Sequence, residues 1–217
     1  MPELEFGVVE AEVIPFAASP TMMFKVRIVN ATEGEKIQSI LLRCQIRMEV
    51  TRRQYDDETE ARLLDVFGRP SQWGDTLRSL LWTHTTTIVP RFEDNSVFEM
   101  PVTCTYDFEV VSSKYFHALR DGDVPLIFLF SGSVFYTGDD DRLQIAPVPW
   151  EAEATFRLPV RYWHEMMDRY FPNAAWLRVQ RDVFDRLHDY LARRALPSWD
   201  AALEELLQAR EAEMERS

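Results

Sequence analysis

The sequence predicts an α+β protein: an antiparallel β-sandwich, or a strongly curved sheet, followed by a C-terminal three-helix segment. Two observations carry this. Apolar and polar residues alternate through most of residues 1–160, the period of strands with one buried and one wet face. From residue 161 the apolar spacing changes to the steps of three and four of amphipathic helices. Composition agrees. Of 217 residues, 46% are hydrophobic and 28% charged; 14 Phe and 6 Trp supply a core, and with 7 Gly there is no low-complexity linker.

Leu4–Val13 and Met22–Val29 read as short strands. In "SILLRCQIRMEVT", Ile40, Leu42, Cys44, Ile46, Met48 and Val50 point one way, and Arg43, Gln45, Arg47, Glu49 and Thr51 the other. A helical insertion follows near 56–68. Asp56 or Asp57 is the N-cap, Leu63, Leu64 and Phe67 share a face, Gly68 suits the C′ position, and Pro70 bars continuation. The next stretch, "PSQWGDTLRSLLWTHTTTIVPRF", fits no single period, although Trp82–Val89 reads as a strand.

The clearest alternation is "SVFEMPVTCTYDFEVV", with Phe98, Met100, Val102, Cys104, Tyr106, Phe108 and Val110 on the buried side. Pro101 assigns its start to a sheet edge or a bulge. "SSKYFHAL" reads as one or two helical turns capped by Ser112 or Ser113. "DVPLIFLFSGSVFY" is the central strand. Its register groups Ser131 and Ser133 with Ile127, Leu129 and Phe135, and places Gly132 among Phe128, Phe130 and Val134. A glycine there marks close approach of another backbone, or a bulge. "TGDDD" turns the chain into Leu143–Val148, and Ala154–Leu158 is a further strand.

Three helices come after Pro159: "VRYWHEMMDRYF", a second from about Leu177 to Ala195, and a third capped by Ser198. In the second, Leu177, Phe184, Leu187 and Leu191 are expected to face inward; in the third, the stripe ends at Leu207. The predicted organisation is a sandwich domain over 1–160, helices over 161–207 packed on it, and a frayed tail over 208–217.

Several function classes are disfavoured. A formal net charge of -12 opposes sequence-independent binding to nucleic acid or anionic lipid. The acidic N-terminus lacks the basic and apolar regions of a signal peptide, and no run approaches the ~18 apolar residues of a membrane helix. The expectation is a cytoplasmic protein without membrane insertion, whose Cys44 and Cys104 are reduced core thiols; a disulfide between them would need an oxidising compartment.

Candidates for chemistry are sparse. Ser131 and Ser133 flank Gly132 without forming the G-x-S-x-G elbow of serine hydrolases. An enzyme would have to assemble an unmotifed site from His117, Asp121, Ser131 and Ser133. His164 and Asp168 sit one turn apart, a spacing two metal ligands can use, but no third ligand is identifiable. The carboxylates of "YTGDDDRL" lack the alternate spacing of a calcium loop. No cofactor or metal site is assigned, although a metal-handling role is carried as an alternative. The Arg-rich second C-terminal helix interleaves acids at helical spacing (Arg178/Asp182, Arg181/Asp185, Asp189/Arg193), the pattern of a solvated face. The candidate contact residues for a protein partner are Arg43 and Arg47 on the wet strand face, and Trp73, Trp82 and His84 in the irregular aromatic segment.

The blocks "PSQWGDTLRSLLWTH", "CTYDFEVVSSKYFHAL", "VPLIFLFSGSVFY", "MDRYFPNAAWLRV" and "RRALPSWDAAL" resemble an uncharacterised bacterial family of this length. Its genes tend to neighbour those of nickel-iron uptake hydrogenases and their maturation factors. The resemblance covers essentially the whole chain. It implies an accessory, non-enzymatic role beside a hydrogenase subunit or maturation factor, and it carries over no catalytic residue.

Overall fold

The computed structural model describes residues 2–32, 34–107, 110–138, 142–174 and 177–216. Strands β1 (Leu4–Val13), β2 (Thr21–Asn30), β3 (Lys36–Met48), β4 (Leu80–Val89), β5 (Asn95–Thr103), β6 (Asp123–Thr137), β7 (Leu143–Pro147) and β8 (Glu153–Pro159) form two antiparallel sheets. One has the order β1-β2-β5. The other runs β4-β3-β6, and the far edge of β6 is shared end to end by β8 and β7. The chain crosses between sheets from β2 to β3, back from β4 to β5, and again from β5 to β6. This is Greek-key winding of the immunoglobulin-like kind.

The α+β sandwich expected from the sequence is what forms, and the core lies between its sheets. Met22, Phe24, Val26 and Ile28 of β2 are fully buried, as are Ile40, Leu42, Ile46 and Met48 of β3. Phe24 meets Phe128 edge-on at 5.1 Å between ring centroids. Each such side chain contributes roughly 1.5–3 kcal/mol of gross hydrophobic stabilisation, which is why period two is so legible here.

Gly132 falls on the buried side with Phe128, Phe130 and Val134, as the register requires. Its φ is +142°, and a Cβ there would lie 2.0 Å from the carbonyl oxygen of Leu41. Its own carbonyl accepts from Val148 N at 3.0 Å as β6 passes from β8 to β7. The glycine is thus a close-approach point between β6 and β3.

Short helices close one end of the sandwich. They are α1 (Asp57–Arg62), capped by Asp56, then α2 (Leu64–Phe67), α3 (Trp73–Thr76) and α4 (Val111–Ala118). Aromatic rings gather there: Tyr55 packs edge-on against Phe67, Trp73 and Tyr115, and its hydroxyl lies 2.9 Å from that of Tyr115. α5 (Val160–Tyr170) buries Trp163, Met166 and Met167, and Trp163 stacks on Phe116 at 5.5 Å and 9°.

Five expectations are corrected. β5 stops at Thr103, because the residue opposite Cys104 is Pro20, which accepts from Cys104 N but has no N–H to return, and Tyr106 leaves the ladder to pack on Trp163 and Phe171. α4 starts at Val111, with Val110 at the N-cap position and no side-chain cap; Ser112 and Ser113 lie inside it, and Ser113 Oγ donates to Thr105 O at 2.7 Å. The first compact unit runs Met1–Trp176, so α5 belongs with the sandwich and the division comes at residue 177. The second helix of the C-terminal segment is α6 (Arg181–Arg194), and Leu177 before it is exposed. The third, α7 (Trp199–Met214), continues seven residues past Leu207; Ala, Glu, Gln and Arg are strong helix formers without an apolar stripe, and Arg210 pairs with Glu213 at 3.0 Å. The expected inward position of Phe108 and the Asp139–Asp141 turn lie outside the described residues.

The second unit, Leu177–Ser217, is a helical hairpin. Ser198 Oγ accepts from Ala201 N at the start of α7. Ala195, in the left-handed region, ends α6, with Leu196 N donating to Leu191 O at 3.1 Å. Between the helices, Glu205 accepts from Tyr190 and Arg194.

Candidate interaction face

β3 lies between β4 and β6, so the outward residues of all three share one face. Pairing defines its rows. Leu41 stands opposite Ile88 on one side and Ser133 on the other. In the next row, Phe135 stands between Ser39 and Ile145, and beyond it Thr137 faces Leu143. Ile88, Ile145 and Leu143 are each about two-thirds exposed (68%, 66% and 64%), and Leu41 is 40% exposed. The four strands at ~4.8 Å spacing make an apolar band on the order of 15 Å wide.

Below the band, Arg43 lies between Thr86 and Ser131, and Gln45 between His84 and Leu129. Arg43 is exposed and makes no ion pair among the described residues. Arg47 is held in place: its Nε and Nη2 donate to Ser79 Oγ at 2.9 and 2.7 Å. Of the proposed contact residues, Arg43, Arg47 and His84 therefore share this face.

The two tryptophans do not join them. Trp73 is buried, with its indole N–H donated to Gly68 O at 3.0 Å, so its assignment as a contact residue is corrected. Trp82 turns inward to Phe24 and Phe116. It occupies the extra position where β4 pairing jumps from Thr83 to Leu81 opposite Ile46 and Arg47. That bulge lets adjacent Trp82 and Thr83 both lean inward, which is why the segment obeys no single period.

The residues of the hypothetical enzyme site are dispersed. His117 lines an open hollow of about 610 Å³ with Arg62, Asp65 and Lys114, and Lys114 pairs with Asp65 at 3.0 Å. Burial, reinforced by His164 and Arg62, holds the His117 imidazole below its ordinary range. Asp121 contributes its carbonyl, not its carboxylate, to Arg53. Ser131 and Ser133 lie on the outer sheet face; eight residues of strand, ~26 Å, separate Asp123 from Ser131. His164 Nε2 is 2.7 Å from Leu119 O. Among the described residues no group of three or more His, Cys, Asp or Glu is placed to share a metal ion. Both cysteines are unpaired and buried, and burial pushes their thiols up to about 12. No helix among the described residues is long and apolar enough to cross a membrane.

The apolar band was missed by sequence reasoning, which took the outward face of β3 as uniformly polar. Its signals were the doubled leucine of "SILL", which forces Leu41 outward, and the alternation of Leu143, Ile145 and Pro147 in "RLQIAPV".

The model of a family of unknown function, DUF6084, matches residues 1–215. The chain belongs to that family. No curated protein matches this DUF6084 member. Among solved structures, it is similar to the CARDB domain of a Pyrococcus furiosus protein, solved in complex with di-metal ions, at 11% identity over 72% of this chain and 91% of that one, with a TM-score of 0.27. It is similar to an ApaA-type protein from Bordetella pertussis at 14% identity, covering 72% and 93% of the two chains, TM-score 0.28. A late embryogenesis abundant protein matches at 14% identity over 73% of each chain, TM-score 0.33. At these scores no ligand, metal or partner passes from those proteins to this one.

Proposed function

We propose that this DUF6084 chain is a non-catalytic accessory protein that binds another protein through the outer face of its larger sheet. The observation that carries the reading is the band of exposed Ile88, Leu41, Ile145 and Leu143, with half-buried Phe135 among them, beside Arg43, which makes no ion pair among the described residues. A sheet needs no apolar residues on its wet face, and contiguous ones mark contact surfaces. Arg43 suits a partner surface in which an acidic group lies beside apolar ones, and arginine is a frequent energetic anchor of interfaces. The resemblance names the first partners to test, a nickel-iron hydrogenase subunit or a maturation factor. A cytoplasmic location belongs to the same reading, supported by the two unpaired thiols.

The test is co-purification from a native host. Hydrogenase subunits or maturation factors should be recovered with the wild-type chain. Leu41→Glu and Arg43→Glu should each weaken recovery at least tenfold, about 1.4 kcal/mol, without loss of folded protein. Recovery unaffected by both substitutions rejects the face. Failure to recover any such partner, together with intact hydrogenase activity in a deletion strain, rejects the hydrogenase assignment.

A further inference from the structure

We infer that the C-terminal hairpin is a self-association element: two copies pair their hairpins about a twofold axis into an antiparallel four-helix bundle. The unit cannot satisfy its own apolar surface. α6 and α7 span 14 and 16 residues, and of their described residues only Ala202 is buried. Val183, Phe184, Trp199, Leu203, Leu206 and Leu207 stay 38–61% exposed. At 41 residues the hairpin sits at the ~40-residue margin below which a core rarely sustains itself. With side chains of ~150–250 Å² for the aromatics, the uncovered part of these six amounts to on the order of 500 Å² per hairpin; twice that reaches the ~1,000 Å² of a specific interface.

The charges select a second copy as the occupant. α6 carries four arginines against three aspartates, net +1; α7 carries five acids against Arg210, net −4. At about 100° per residue, Arg186 and Arg193 border the stripe of Val183, Leu187 and Leu191, whereas Asp200 and Glu211 border Leu203 and Leu207. None of these four bordering charges makes an ion pair among the described residues. A twofold axis sets α6 of one protomer against α7 of its partner, and the reverse, so each cationic border meets an acidic one while stripe covers stripe. A partner surface of one sign would satisfy only one helix.

Sedimentation equilibrium of the full chain tests this. The wild type should weigh twice its 25.5 kDa chain mass in the micromolar range. Leu203→Glu combined with Leu207→Glu should give a monomer with unchanged strand content by circular dichroism. Arg186→Glu and Glu211→Arg should each weaken the dimer at least tenfold, and the two together should restore it. A monomeric wild type overturns the proposal, whether the stripe is then covered by the protein's own sandwich or by another protein. A dimer that survives both leucine substitutions, or a charge swap that fails to restore association, also overturns it. Leu41→Glu on the sheet face should leave the dimer intact, so failure here and failure of the accessory role are separable.

Discussion

Gly132 has little freedom to vary. A methyl group there meets the Leu41 carbonyl, and its φ lies where side chains are strained. Gly132→Ala should therefore cost about 2–4 kcal/mol in urea denaturation. Gly7, with nothing near its Cβ direction, should tolerate alanine within about 0.5 kcal/mol; equal effects at the two sites would refute the close-approach account. Cys44 and Cys104 make a second residue-scale case. Their thiols are held protonated up to about pH 12 in the folded chain, whereas unfolded cysteines ionise near ~8.5. The stabilisation is thus full below that unfolded value and is lost as pH rises toward the folded one. The urea midpoint should fall from about pH 8.5 upward, less steeply in Cys44→Ala, and a disulfide-exchange reagent at about pH 8 should label neither thiol until the protein unfolds. Tyr115, also raised by burial, adds in the same direction only above the ordinary tyrosine value near ~10. Labelling of the native protein would contradict this burial.

At the scale of elements, α5 is held mainly by Trp163. Its ring stacks on Phe116 and meets Tyr106 edge-on, and Tyr170 at the far end of the helix donates to Ala17 O at 2.9 Å. Trp163→Ala should cost ~3–5 kcal/mol by cavity formation, and a loss below ~1 kcal/mol would place α5 outside the cooperative core. α7 depends on its cap. Ser198→Ala should remove about 1 kcal/mol, seen as faster amide exchange confined to the hairpin. The contrast follows from burial: one helix is fastened by a core and the other by its own end groups.

For the whole molecule, the division at residue 177 separates a unit with a large core from one with almost none. A chain ending at residue 176 should retain the sheet signal and a single cooperative thermal transition. Residues 177–217 alone should be largely unfolded at low concentration and gain helix as concentration rises. Helicity independent of concentration would sink the account of the hairpin as a unit completed by another copy. If both proposals hold, the outer sheet face and the hairpin serve different contacts, and variants on one should leave the other undisturbed.

Much of the sandwich was legible in the sequence. β3 and β5 announced themselves because a one-residue slip would expose every core side chain, so buried apolar residues alternate with outward ones along Ile40–Met48 and Phe98–Thr103. The caps Asp56 and Ser198, and the glycine at 132, were readable because each meets a local backbone demand. The candidate face was half legible: Arg43, Arg47 and His84 were picked out, while Leu41, Ile88, Phe135 and Ile145 were not. Their adjacency exists only across strands distant in the chain. Trp73 misled because an irregular aromatic segment looks the same whether its rings meet a partner or close a core. Period, composition and end-capping are properties of consecutive residues, and these the sequence by itself determined. Cross-strand register, the bulge at Trp82, the dispersal of His117 from Ser131, and the burial of each tryptophan rest on contacts between distant segments. Only the tertiary structure decided those.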